Sequence, residues 1–267
     1  MTSSKQFLAC ICVAAVVWFM GCNFSGSAPA SNTAAGNANT SRPTNANSSS
    51  GTAAPETGVE KVKPAPGTGN VQGKVLYNGK PVEGIEVKLC EKFNQFFGGC
   101  TGQTFTAKSD ADGEYVITNV EPKTYETLMV RVFDTDTYVF ATTGITGLSS
   151  AKYEVAADKT LFVRPSQIFK TDLKLTDPKA GSKVSAQGLE LKWQAYPDAA
   201  YYKLSIYAQD PGVTSPYIGE RVEATSFPAD KPLPKGTYRW VVEAYNGSDQ
   251  KLAESAKDVK FTITDGS

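Results

Sequence analysis

The chain reads as all-β, two antiparallel β-sandwiches in tandem behind an export leader and a polar tether. Three observations predict it. From Val71 onward apolar residues recur at period two in runs of three or four, the signature of half-buried strands. Asn-Gly, Asp-Gly and Pro-containing turns separate those runs, and no ten-residue stretch carries a helical period. Upstream of about Gly69 the pattern disappears into Ser, Asn, Thr, Ala, Gly and Pro. The boundaries that follow are a leader at 1–21, a tether at 22–69, one sandwich at 70–170 and a second at 171–267.

Lys5 precedes Phe7 to Met20, fourteen residues without a charge. A bilayer span takes about 20 apolar residues, whereas the core of a secretory signal takes roughly 7–15. Gly21 supplies the small residue of a cleavage site. An ordinary cleaved signal and an uncleaved anchor are the two alternatives. The ending Phe19-Met20-Gly21-Cys22 resembles the lipobox of bacterial lipoproteins. That resemblance implies acylation of Cys22, which would become the first residue of the mature chain and hold it to a membrane. Asn23 follows, where lipoproteins retained at an inner membrane often carry Asp; by the same likeness an outer membrane is favoured in a cell that has two.

The tether has too little apolar surface to offset the entropy of ordering, so it is expected to be disordered. As a flexible coil of about 47 residues it would reach roughly 40 Å. Pro64 to Gly69 mark the domain edge.

In the first folded segment Val71, Gly73 and Val75 alternate, Asn78-Gly79 makes a tight turn, and Ile85, Val87 and Leu89 alternate again. Asp112-Gly113 turns into Tyr115 and Ile117, and Leu128, Val130 and Val132 give a further strand. The order Val71-Gln72-Gly73-Lys74-Val75, Asn78-Gly79-Lys80-Pro81-Val82-Glu83-Gly84-Ile85-Glu86-Val87, Asp110-Ala111-Asp112-Gly113-Glu114-Tyr115 and Asn119-Val120-Glu121-Pro122 resembles the carboxypeptidase regulatory-like domain. The resemblance covers residues 70–133 best. It implies a transthyretin-like Greek-key sandwich that is an accessory module and no peptidase, with some relatives binding carbohydrate. Asp110, Asp112 and Glu114 also invite a calcium reading, but they lack the spacing and distal Glu of an EF-hand loop. A hairpin turn is the favoured reading.

In the second folded segment Leu189, Leu191 and Trp193 alternate, as do Tyr202, Leu204 and Ile206. Tyr238, Trp240, Val242 and Ala244 form another strand, and Val259, Phe261 and Ile263 close the set. Trp193, Tyr202 and the Leu233–Tyr238 spacing resemble a fibronectin type III domain. That likeness implies a corner hydrogen bond from the Tyr238 hydroxyl. Trp193 and Trp240 could serve as sugar platforms, yet both fall on the alternating apolar face, and core placement is expected.

Composition narrows function. Histidine is absent, which removes Ser-His-Asp and Cys-His catalysis, His-ligated zinc and histidine pH switches. Lys plus Arg and Asp plus Glu number 27 each, so the chain has no electrostatic footprint for nucleic acid. No Gly-rich phosphate cradle is present, and no cofactor is expected. Of five cysteines, Cys10 and Cys12 leave with the leader and Cys22 is the lipid site. Cys90 and Cys100 remain; in an exported chain a disulfide is expected, the alternative being a metal pair, which lacks partner ligands, so no metal is expected. The loop they would close carries Phe93, Phe96 and Phe97, either offered to a ligand or folded back as a satellite cluster.

The expected protein is therefore no enzyme but a lipid-anchored envelope protein whose modules meet a protein or glycan partner. Its alternative is a carbohydrate- or peptidoglycan-binding lipoprotein using the Phe93–Phe97 loop. A carboxylate-dependent hydrolase ranks last, because no pair of acids stands out for a cleft of ~5–9.5 Å.

Overall fold

A computed structural model describes residues 56–94, 99–143, 149–231 and 233–265. The leader, Cys22 and most of the tether lie outside the described residues. Every regular element among the described residues is a strand, and the fold is all-β. Among the described residues no helix is long and apolar enough to cross a membrane.

The first segment builds two main sheets, beside two short pairings, Thr142–Thr143 with Ser149–Ser150 and Thr124–Tyr125 with Tyr153–Glu154. In one, β1 (Gly69–Tyr77) lies at the centre. The second sheet runs through β2 (Glu86–Asn94), β3 (Gly99–Lys108), β5 (Thr127–Arg131) and β6 (Tyr138–Phe140), in the order β3-β2-β5-β6. Antiparallel to β1 runs β4 (Glu114–Val120), with Lys80–Pro81 continuing along the same side. Along its other side β7 (Thr160–Phe162) and β8 (Ser166–Gln167) are parallel to it. Period-two alternation turns Val71 and Val75 of β1 and Val87 and Leu89 of β2 inward, each with no exposed surface. They pack with Tyr115, Ile117, Leu128 and Val130 into one core. Asn78 and Gly79 both have positive φ, 49° and 72°, as the tight hairpin turn requires.

The acidic cluster at 110–114 is a turn. Asp110 Oδ1 accepts hydrogen bonds from the Asp112 and Glu114 amides at 3.0 and 2.9 Å, and Gly113 takes φ 73°. Among the described residues no group of three or more His, Cys, Asp or Glu side chains could hold a metal ion.

The second segment opens with β9 (Lys170–Leu173), which pairs in parallel with β16 (Lys251–Ser255). Lys170 thus begins the second sandwich, one residue ahead of the boundary read from the sequence. A large sheet runs β9-β16-β15-β12-β13, where β12 is Tyr201–Ala208, β13 is Tyr217–Val222 and β15 is Gly236–Tyr245. The closing strand, β17 (Lys260–Ile263), pairs with the first half of β15. Opposite it stand β10 (Leu175–Asp177), β11 (Glu190–Trp193) and β14 (Ser226–Pro228). Trp193 and Trp240 are 4% and 0% exposed, in a core with Leu191, Tyr202, Leu204, Tyr238 and Phe261. The indoles are core residues and cannot serve as sugar platforms. Tyr238 Oη donates to the Pro234 carbonyl at 2.8 Å, the expected corner. The first sandwich has its own version, unforeseen in the sequence: Tyr125 Oη donates to Glu121 O at 3.0 Å.

The end of the expected tether departs from disorder. Residues 56–68 lie as a strap over the first sandwich, fastened mainly by polar groups that β1 turns outward. Gln72 Nε2 donates to Val59 O at 3.0 Å while its Oε1 accepts from Lys61 N at 3.1 Å. Asn70 Nδ2 donates to Val62 O at 2.7 Å, and Glu56 N donates to Phe162 O at 3.0 Å. Lys61 Nζ bridges Asp110 and Glu114 at 2.7 and 2.6 Å, Arg164 pairs with Glu56 at 2.6 Å, and Pro64 is buried. Gly58 lies so close to the Phe162 ring that a Cβ there would stand 2.4 Å from it.

The strap has a pH signature. The Lys61 ammonium, then the Glu114 amide, hold the Asp110 carboxyl below its ordinary range, while Asp110 and Glu114 hold Lys61 above its own. A lowered acid contributes stability above its unfolded pKa, which is lost as pH falls through the folded value. A raised amine contributes below its unfolded pKa, and that is lost as pH rises through the folded value. The strap is therefore tight across the neutral range. Protection of the amides of residues 56 and 61 against hydrogen exchange, taken relative to the intrinsic rate at each pH, should fall on acidification below the ordinary Asp range, and at neutral pH in Lys61→Ala. Unchanged protection in Lys61→Ala would show the ion pairs to be idle.

Candidate binding surface

The outer face of the second sheet of the first sandwich gathers what the sequence singled out. Cys90 and Cys100 are joined in a disulfide with Cα atoms 5.5 Å apart. They are not opposite each other in the ladder: Cys90 faces Thr104, and Cys100 faces Phe93. A register shift between Cys90 and Lys92 makes the diagonal crosslink fit. Glu91 supports that bulge by accepting from the Gln103 amide at 2.9 Å and pairing with Lys123 at 3.3 Å. The Gln103 amide first, and Lys123 second, hold its carboxyl below the usual range.

Cys90 follows the inward-facing Leu89 and so turns to the outer face, yet it has no exposed surface. Met129 covers it, with Sδ at 3.8 Å from Cys90 Sγ and 3.2 Å from Cys100 Sγ. Lys88, Met129 and Phe140 stand side by side across β2, β5 and β6. Phe93 meets Phe140 with ring centroids 4.9 Å apart and planes inclined at 68°. The Phe93 amide donates to Glu126 Oε2 at 2.7 Å, which fixes the hairpin end over the sheet. The surface is thus an apolar patch of Phe93, Met129 and Phe140, all half-buried, over a disulfide. Phe96 and Phe97 lie outside the described residues.

Beyond Met129 the same face turns charged. Tyr138 Oη donates to Glu86 Oε1 at 2.8 Å and accepts from Lys88 Nζ at 2.8 Å, and Lys88 pairs with Glu86 at 3.0 Å. The Tyr138 hydroxyl, then Lys88, hold the Glu86 carboxyl down; Tyr138, then Glu86, hold Lys88 up. Both groups are therefore ionised near neutrality, and neither is poised to exchange a proton there. What this face offers is an apolar contact bordered by fixed charges. The sequence pointed to Phe93 and the two cysteines; it gave no sign of Met129 or Phe140, which belong to strands distant in the chain.

Comparison with known proteins adds no argument of its own. No family model matches the chain, and no curated protein matches it. Among solved structures, an Fn3-like protein from Clostridium thermocellum is 19% identical, over 36% of this chain and 90% of its own, with a TM-score of 0.24. Fibronectin(III)-like modules of Clostridium thermocellum CbhA are 14% identical, over 75% and 90%, with a TM-score of 0.26. BcpA, the major pilin subunit of Bacillus cereus, is 13% identical, over 73% and 69%, with a TM-score of 0.25. Overlaps this slight leave the fold resting on the chain's own sheets.

Proposed function

We propose that this is a lipid-anchored envelope protein, held through Cys22, whose two β-sandwiches are non-catalytic modules that bind a protein partner. In this reading the first is a carboxypeptidase regulatory-like module and the second a fibronectin type III-like one. The patch of Phe93, Met129 and Phe140 is the observation that carries the reading. Apolar side chains standing on the outer face of a sheet, braced by a disulfide and bordered by Glu86 and Lys88, have the make-up of an interface centre with a charged rim. A glycan is the second reading, motivated by the aromatic loop. It is disfavoured because rings inclined at 68° form a notch, whereas a sugar ring stacks on a flat exposed face.

A photo-crosslinking residue at position 140 of the membrane-bound protein tests the surface. Crosslinks to one envelope protein are expected, and Phe93→Ala should weaken that complex by roughly 2 kcal/mol, about thirtyfold, as for a central aromatic anchor. Cosedimentation with purified peptidoglycan that Phe93→Ala abolishes would install the glycan reading instead. Intact mass of the membrane-recovered protein checks the anchor, since it reports leader cleavage, acylation and thiol oxidation together.

A further inference from the structure

The two sandwiches touch through a pair of asparagines, one on a hairpin tip of each. Asn78 follows β1 and is succeeded by Gly79; Asn246 follows β15 and is succeeded by Gly247. Asn246 Nδ2 donates to Asn78 Oδ1 at 2.8 Å and to Gln250 Oε1 at 2.9 Å. Asn78 Nδ2 donates to Asp198 Oδ2 at 3.0 Å. Beside them Tyr77 and Tyr196 hydroxyls stand 3.5 Å apart, and Tyr196 Oη donates to Asp172 at 2.8 Å. Asn78 therefore spends a donor and an acceptor on two separate elements of the other sandwich. The donation to Asp198 needs its side chain to be an amide, whereas the acceptance from Asn246 could be kept by a carboxylate.

Both asparagines precede a glycine, the sequence in which an asparagine amide is least protected from its own backbone. With no side chain to obstruct it, the glycine nitrogen attacks the asparagine Cγ. A new N–Cγ bond forms, the side-chain nitrogen leaves as ammonia with the glycine N–H proton, and a five-membered imide results. Water then adds to one imide carbonyl and breaks one C–N bond, leaving aspartate or its β-linked isomer. The net change is one water consumed and one ammonia released.

We propose that Asn78-Gly79 is a self-modifying site that acts as a one-way latch on the joint between the sandwiches. While the joint is closed, φ of 49° at Asn78 and its hydrogen bonds to Asp198 and Asn246 hold the side chain toward the other sandwich. The imide forms only when that arrangement is left, so conversion counts openings. Afterwards a carboxylate at position 78 faces the Asp198 carboxylate in place of an N–H donor. Like charges at that separation repel, and reclosure is opposed. Conversion of Asn246 acts in the same direction, because it removes the donor to Asn78 Oδ1 and Gln250 Oε1.

The test uses the soluble mature chain with one spin label on each sandwich. After incubation at mildly alkaline pH, peptide mapping should find position 78 converted, more slowly than in the denatured chain. The converted fraction should lose the narrow inter-sandwich distance peak. Asn78→Asp should lose it without incubation, and adding Asp198→Asn should restore it by returning a donor. Full retention of the Asn78 amide over a period that converts the denatured chain overturns the proposal. So does a narrow peak in the converted protein or in Asn78→Asp.

Discussion

Trp240→Ala brings the second sandwich close to unfolding and leaves the first standing. Trp240 has no exposed surface and sits midway along β15, the strand that pairs with β12, β16 and β17. Truncating a buried Trp costs about 3–5 kcal/mol, because the lost transfer energy is joined by an unfilled cavity. Whole domains are stable by only about 5–15 kcal/mol, so a module of this size is brought near its midpoint. Trp240→Phe should cost much less, since Trp240 Nε1 has no hydrogen-bond partner among the described residues to lose. The expected readout is a urea melt with two transitions, of which only the one seen by Trp193 moves. Trp193 belongs to the second core, so in a chain lacking residues 1–21, and with them Trp18, tryptophan emission reports that sandwich alone. A single unshifted transition would mean that the core around Trp240 is not what holds the module together.

Reducing the Cys90–Cys100 bond should act on the other half. Closing a loop of this length contributes about 3 kcal/mol by the chain-entropy estimate. The sandwich around Val71 and Tyr115 should lose roughly that much, while tryptophan emission during unfolding stays put. Cys90→Ala with Cys100→Ala should match reduction. The bond also braces the apolar patch, so partner crosslinking from position 140 should fall in parallel. If stability dropped while crosslinking persisted, the patch would owe nothing to the disulfide.

Much of this fold was legible because a sheet with one buried face writes its register into the sequence. Trp193, Trp240 and Tyr238 fell on the correct face from alternation alone, and Asn78-Gly79 and Asp112-Gly113 announced their turns through the conformations they tolerate. The strap was illegible for the opposite reason. Its residues have no period, and what fixes them is two outward side chains of β1, Asn70 and Gln72, that sequence reading assigns to solvent. The candidate surface was half legible. Cys90, Cys100 and Phe93 lie within one hairpin and could be read together, whereas Met129 and Phe140 reach them only through pairing of β2 with β5 and β5 with β6. The joint was hidden too, since Asn78 and Asn246 are 168 positions apart in the chain.

The parallel seam of the first sandwich has a mechanical meaning. Force applied between the amino-terminal side and the second sandwich pulls β1 backward from Gly69 and pulls β8 forward beyond Gln167. These strands are parallel neighbours, matched at Val75 with Ser166 and Leu76 with Gln167. Their hydrogen bonds are loaded in shear, all at once, rather than unzipped singly. Before that load arrives, residues 56–68 must peel away, releasing roughly 45 Å of slack. A chain so arranged yields first by lengthening, with its sandwiches still folded, and resists afterwards.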